Sequence, residues 1–94
     1  MALGSLQYSE ARAHVSELRT SAQNMIELLN ELKREMDTLE SVLKSKGADE
    51  LYATYKQLEA KVGSYPEKVQ DFANFLETSV ARYEAVDNNL ASQA

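Results

Sequence analysis

The chain has 94 residues and a mass of 10.5 kDa, with no Cys, one His and a formal net charge of −5 at a pI near 4.8. These figures bound it to one small domain, exclude disulfides and leave too few His and Cys side chains for the usual metal site within one chain. The charge is spread evenly over both halves, which argues against nucleic acid and anionic membrane surfaces, and no apolar run approaches the roughly 18 residues that read as a membrane span.

The N-terminal residues show no basic region, apolar stretch or cleavage site of a secretory signal peptide. Ser9 is the expected N-cap of a first helix, with Glu10 placed well at the positive end of its macrodipole. From Ala11, alternating steps of four and three land on Val15, Leu18, Ala22, Met25, Leu29, Leu32, Met36, Leu39 and Leu43. Every position is apolar, and the residues between are mostly polar. That is a heptad row, and it predicts a helix over about 9–45.

The stretch SKGADELY, residues 45–52, interrupts the pattern. Gly47 suits the left-handed residue that closes a helix, and Asp49 and Glu50 suit the first turn of the next one. A turn over about 45–48 is expected, and a connection this short makes its neighbours antiparallel. The same stepping from Leu51 gives Tyr55, Leu58, Val62, Tyr65, Val69, Phe72, Leu76, Ser79, Tyr83, Val86 and Leu90. Only Ser79 breaks this row, so a second helix is expected over about 48–89, with a flexible tail at 90–94.

GSYPEK, residues 63–68, sets Gly63 and Pro66 in the middle of that helix. Proline removes a backbone donor and clashes with the preceding turn. Ser64 with Glu67 reads as a capping box that would restart a helix, so a three-helix bundle broken near Gly63 is the rival fold. Because Val62, Tyr65 and Val69 hold the heptad phase across the proline, a kink is preferred to a loop. The expected fold is all-α: an antiparallel two-helix hairpin, its second helix kinked near Pro66.

Two helices cannot cover all the apolar residues present. Ile26, Leu28 and Val42 lie beside the first row, and Tyr52, Phe75 and Val80 beside the second. A stripe this wide suits a four-helix bundle better than a lone hairpin. Met25, Ile26, Leu28, Leu29, Tyr65, Phe72 and Phe75 are the expected partner interface.

Catalytic patterns are absent. His14 sits between Glu10 and Glu17 as a helix-surface residue would. Glu27, Glu31 and Glu35 repeat every four residues but lie off the apolar row, without the Glu-x-x-His of carboxylate metal sites. Gly4, Gly47 and Gly63 form no phosphate loop. Neither enzyme activity nor a cofactor is expected. Tyr83 and Asp87, in YEAVD, place an aromatic and a carboxylate four apart near the C-terminus.

Taken together, the length, the central glycine turn, the absence of Cys and the late Tyr-x-x-x-Asp resemble the WXG family, the small early secreted antigenic target-like substrates of bacterial type VII secretion. KGADELYATYKQL is similar to the family's turn region, and FANFLETSVARYEAVDNNLASQ to the C-terminal half of Gram-positive members. The family's turn tryptophan would fall at Ser45, and this chain has none. The resemblance implies Gly47 as the turn glycine and Tyr83 with Asp87 as an export signal read by the type VII secretion ATPase or its adaptor. It also implies secretion without a cleaved signal peptide, after a cytoplasmic pool. The partner would be a second copy, a WXG-like homologue or the helical domain of an LXG-type toxin. Heptads alone equally suit an intracellular coiled-coil adaptor.

Overall fold

The computed structural model of the chain describes residues 4–43 and 46–93. Three helices follow in order: α1 (Ser5–Leu43), α2 (Lys46–Val62) and α3 (Tyr65–Gln93). They form two compact units, one of Met1–Ser21 with Lys68–Ala94, the other of Ala22–Glu67. Each unit pairs a segment of α1 with a later segment running the opposite way, so the topology is an all-α helical hairpin.

Helix α1 begins at Ser5, one turn before the expected Ser9 cap. Gly4 takes the capping position: its carbonyl accepts from the amides of Gln7 and Tyr8 at 3.1 and 3.3 Å. The Gln7 side chain reaches back to accept from the Gly4 amide at 2.6 Å. This is half of a capping box, with a Gln in place of Glu at the third helical position. The added turn carries Tyr8 into the helix.

Residues 44 and 45 lie outside the described residues. Gly47 is helical, the second residue of α2, whereas the sequence placed it in the turn. Asp49 lies in the first turn of α2, where its charge complements the amide ends. At the other end α3 runs to Gln93, past the expected stop near residue 89.

The second helical stretch is interrupted at Gly63 and Ser64. The Gly63 amide still donates to the Glu59 carbonyl at 2.8 Å. A Cβ on Gly63 would stand 2.6 Å from that oxygen, so only glycine fits here without a shift. Pro66 becomes the second residue of α3, in the first turn, where a missing N–H breaks no helical bond. Helix resumes at once after a two-residue turn, as a kink requires and a loop does not.

The inward row of the first helix is close to the expected one. Tyr8, Val15 and Ala22 are buried, and Ala11, Leu18, Ile26, Leu29, Leu32 and Met36 are half-buried. Met25, Leu39 and Leu43 are exposed instead. The second row is rotated. In the unit of residues 22–67 the inward residues of α2 and early α3 are Ala48, Tyr52, Tyr55, Glu59, Val62 and Pro66. In the other unit they are Val69, Ala73, Leu76, Val80, Glu84 and Asp87, with Gln70 and Ser79 at the flank. Tyr55, Val62, Val69 and Leu76 belong to both the expected and the observed rows. The alternate positions move by one residue, from Leu58 to Glu59, Tyr65 to Pro66, and Phe72 to Ala73.

Size explains the rotation. Ala22 and Ala73 are fully buried, and Ala48 nearly so. Short side chains on the contact line let helix backbones approach closely, while the long apolar residues beside them are turned outward.

The candidate signal segment and the exposed apolar face

Six hydrophobic residues are buried among those described, and three are alanines. Against them stand fourteen large apolar side chains that are exposed. A single chain therefore leaves many bulky apolar side chains in contact with water, which is unusual for an isolated domain.

The expected interface residues divide by exposure. Leu28, Phe75, Phe72, Tyr65 and Met25 are exposed, whereas Ile26 and Leu29 are half-buried within the unit of residues 22–67. In that unit Met25, Leu28, Leu29, Val62, Tyr65 and Pro66 line a shallow groove that is almost wholly apolar. In the other unit, Phe72 and Phe75 stack with ring centroids 6.2 Å apart. Phe75, Ser79, Arg82, Tyr83 and Val86 line a second shallow groove.

Tyr83 and Asp87 are both on α3, one turn apart, but they do different things. Tyr83 is 68% exposed. Asp87 is half-buried and accepts a hydrogen bond from the Tyr8 hydroxyl of α1. Tyr8 is itself 3% exposed. Burial first, and then the Asp87 hydrogen bond and charge, pushes the Tyr8 hydroxyl up to about 12, so it remains a neutral donor.

Neighbouring pairs repeat the arrangement. Arg12 donates from both terminal nitrogens to the Glu84 carboxylate, one of the contacts at 3.2 Å. That hydrogen bond, above the opposing desolvation, holds the Glu84 carboxyl below its ordinary value. Arg19 donates to Asn74 at 2.7 Å and pairs with Glu77. These links join residues rising in α1 to residues falling in α3, and so fix an antiparallel register. In the unit of residues 22–67, the inward carboxylate of Glu59 accepts from the Tyr55 hydroxyl at 2.6 Å, and Lys56 lies 3.4 Å away.

Nothing in these contacts resembles a reaction centre. His14 is exposed and lies 3.3 Å from Glu17. Glu27, Glu31 and Glu35 are all exposed. Among the described residues no three His, Cys, Asp or Glu converge as metal ligands, and no helix is long and apolar enough to cross a membrane.

Tyr8 was not among the residues singled out from the sequence. The signal was available: one step of three back from Ala11 continues the heptad to Tyr8. Reading Ser9 as the cap hid it.

A family model described as proteins of 100 residues with WXG matches residues 5–88. Comparison with curated proteins and with solved structures gave no match.

Proposed function

Since the chain belongs to the WXG100 family of small helical type VII secretion substrates, we propose that it is exported by such a system as a folded helical pair, without catalysis. The match over residues 5–88 carries this reading, because it spans both units rather than a short motif. Family members are non-enzymatic and typically form helical dimers. The exposed bulky apolar side chains ahead of the Tyr83–Leu90 segment, Met25, Leu28, Tyr65, Phe72 and Phe75 among them, support such pairing here. They would be buried when two hairpins combine into a four-helix bundle, against a second copy or a homologous chain. An LXG-toxin domain would use the same face.

The export signal comprises Tyr83 and Asp87, and the secretion ATPase or its adaptor reads it. Tyr83 projects into solvent where a receptor can reach it. The turn tryptophan of the family is absent, so recognition rests on the α3 segment. Localisation follows: secreted, with a cytoplasmic pool before export.

The test is secretion in a host with a working type VII system, comparing the wild type with Tyr83→Ala. The variant should accumulate in cells with unchanged circular dichroism and unchanged dimer mass. Normal export of Tyr83→Ala would defeat the signal assignment. Export of the wild type from a strain lacking the secretion ATPase would defeat the whole reading.

A further inference from the structure

The Tyr8–Asp87 contact joins the first turns of α1 to the segment that carries Tyr83. It is not an isolated surface pairing. Tyr8 is among the most buried of the described residues, and its hydroxyl is aimed at the Asp87 carboxylate. One turn away on both helices, Arg12 grips Glu84. Together the two links hold α3 from one side over residues 84–87. They add to the small buried side chains in holding its rotation about its own axis.

The consequence is directional. With Asp87 and Glu84 turned toward α1, Tyr83, Val86 and Leu90 are left facing solvent, at 68%, 51% and 56% exposure. A receptor approaching this segment meets an aromatic and apolar row. It meets Asp87 only in part.

On the reading of Tyr83 and Asp87 as an export signal, we infer that Tyr8 is a third member of that signal, a positioning residue through which Asp87 acts. Asp87 serves as the anchor that sets the presentation of Tyr83, and Tyr8 is the hydroxyl it is anchored by. The signal is then a two-helix epitope, not a linear motif on α3.

The chemistry separates this from direct reading of the carboxylate. Asparagine at position 87 keeps a carbonyl oxygen that accepts from a tyrosine hydroxyl but carries no charge. Phenylalanine at position 8 keeps the buried ring and removes only the donor. The experiment is a secretion assay on the full chain with Tyr8→Phe, Asp87→Asn, Asp87→Ala and Tyr83→Ala, each checked for helicity and association.

Tyr8→Phe and Asp87→Ala should both lose export, and their combination should lose no more than either alone. Asp87→Asn should retain export. Amide exchange should quicken in the first turns of α1 in Tyr8→Phe and stay unchanged around Tyr55. Normal export of Tyr8→Phe, or loss of export in Asp87→Asn, overturns the inference: the receptor then reads the charge itself. If Tyr83→Ala is also exported normally, the signal assignment fails first. If Tyr83→Ala is blocked while Tyr8→Phe passes, that assignment stands and only the role of Tyr8 falls.

Discussion

Phe72 and Ala73 are neighbours on α3, and introducing the same residue at each tests where the helix contact line runs. Ala73 is fully buried, whereas Phe72 is 55% exposed. Ala73→Glu forces an unpaired carboxylate and a larger side chain into a position with no exposed surface. An uncompensated buried charge costs about 3 kcal/mol or more. Phe72→Glu forfeits less than half of the ~1.5–3 kcal/mol that burying a whole large apolar side chain contributes, so its effect is about 1 kcal/mol. Glutamate is an adequate helix former at either site, so backbone propensity separates the two little.

For a chain of this size each kcal/mol moves the melting temperature by about 4–8 °C. Ala73→Glu should therefore melt roughly 8–16 °C below Phe72→Glu. The assay is thermal unfolding followed by circular dichroism, at low protein concentration to limit the contribution of association. The heptad row read from the sequence puts Phe72 on the contact line and Ala73 off it, which demands the opposite order. If Phe72→Glu is the more damaging in dilute solution, the rotated contact line described above is wrong.

Leu28→Glu and Phe75→Glu, at side chains 65% and 63% exposed, should abolish dimerisation in light scattering while changing single-chain stability by less than about 1 kcal/mol. Gly63→Ala should lower stability by about 1 kcal/mol or more, because its Cβ meets the Glu59 carbonyl oxygen at 2.6 Å, and urea unfolding will measure the loss. Stability should fall at both pH extremes. Glu84, held down chiefly by the Arg12 hydrogen bond, and Glu59, held down chiefly by the Tyr55 hydrogen bond, stabilise the fold fully above their ordinary value of 4.5, and this is lost as pH falls through the lowered folded values. Tyr8 and Tyr55 are pushed up from 10.0 to about 12, so their contribution holds below pH 10 and disappears as pH rises toward 12. Melting temperature against pH should thus fall away at both ends, and in Arg12→Ala the acid limb should be shallower because Glu84 has lost its principal partner.

Much of the architecture is local and was legible in the residues. A heptad row predicts an amphipathic helix because its period places apolar side chains on one face wherever the helix later docks. Gly63 and Pro66 mark the interruption because backbone sterics act within a few residues. Leu28, Phe72 and Phe75, all exposed in the structure, were legible as surplus apolar side chains, since the apolar stripe is wider than one partner helix can cover.

The contact line itself was not legible. Phe72 and Ala73 both lie within the wide stripe, and periodicity ranks them by hydrophobicity, which favours the larger. Packing ranks them by fit, and closely approaching helices accept alanine and turn phenylalanine outward. Ile26, expected beside the row, is half-buried and Met25, expected on it, is exposed for a related reason: their relative exposure depends on the rotation of α1 within its unit.

The two halves of the candidate signal divide the same way. Tyr83 and Asp87 could be named from a four-residue spacing, which any helix displays. The sequence determined by itself that this chain is helical, where its helices pause and that it carries more apolar surface than one hairpin can hide. Only the tertiary structure decided that Asp87 faces Tyr8, 79 residues away in the chain, while Tyr83 faces water. That choice depends on the antiparallel register and on the helix rotation set by small buried side chains, and neither quantity is written in the spacing of residues along one helix.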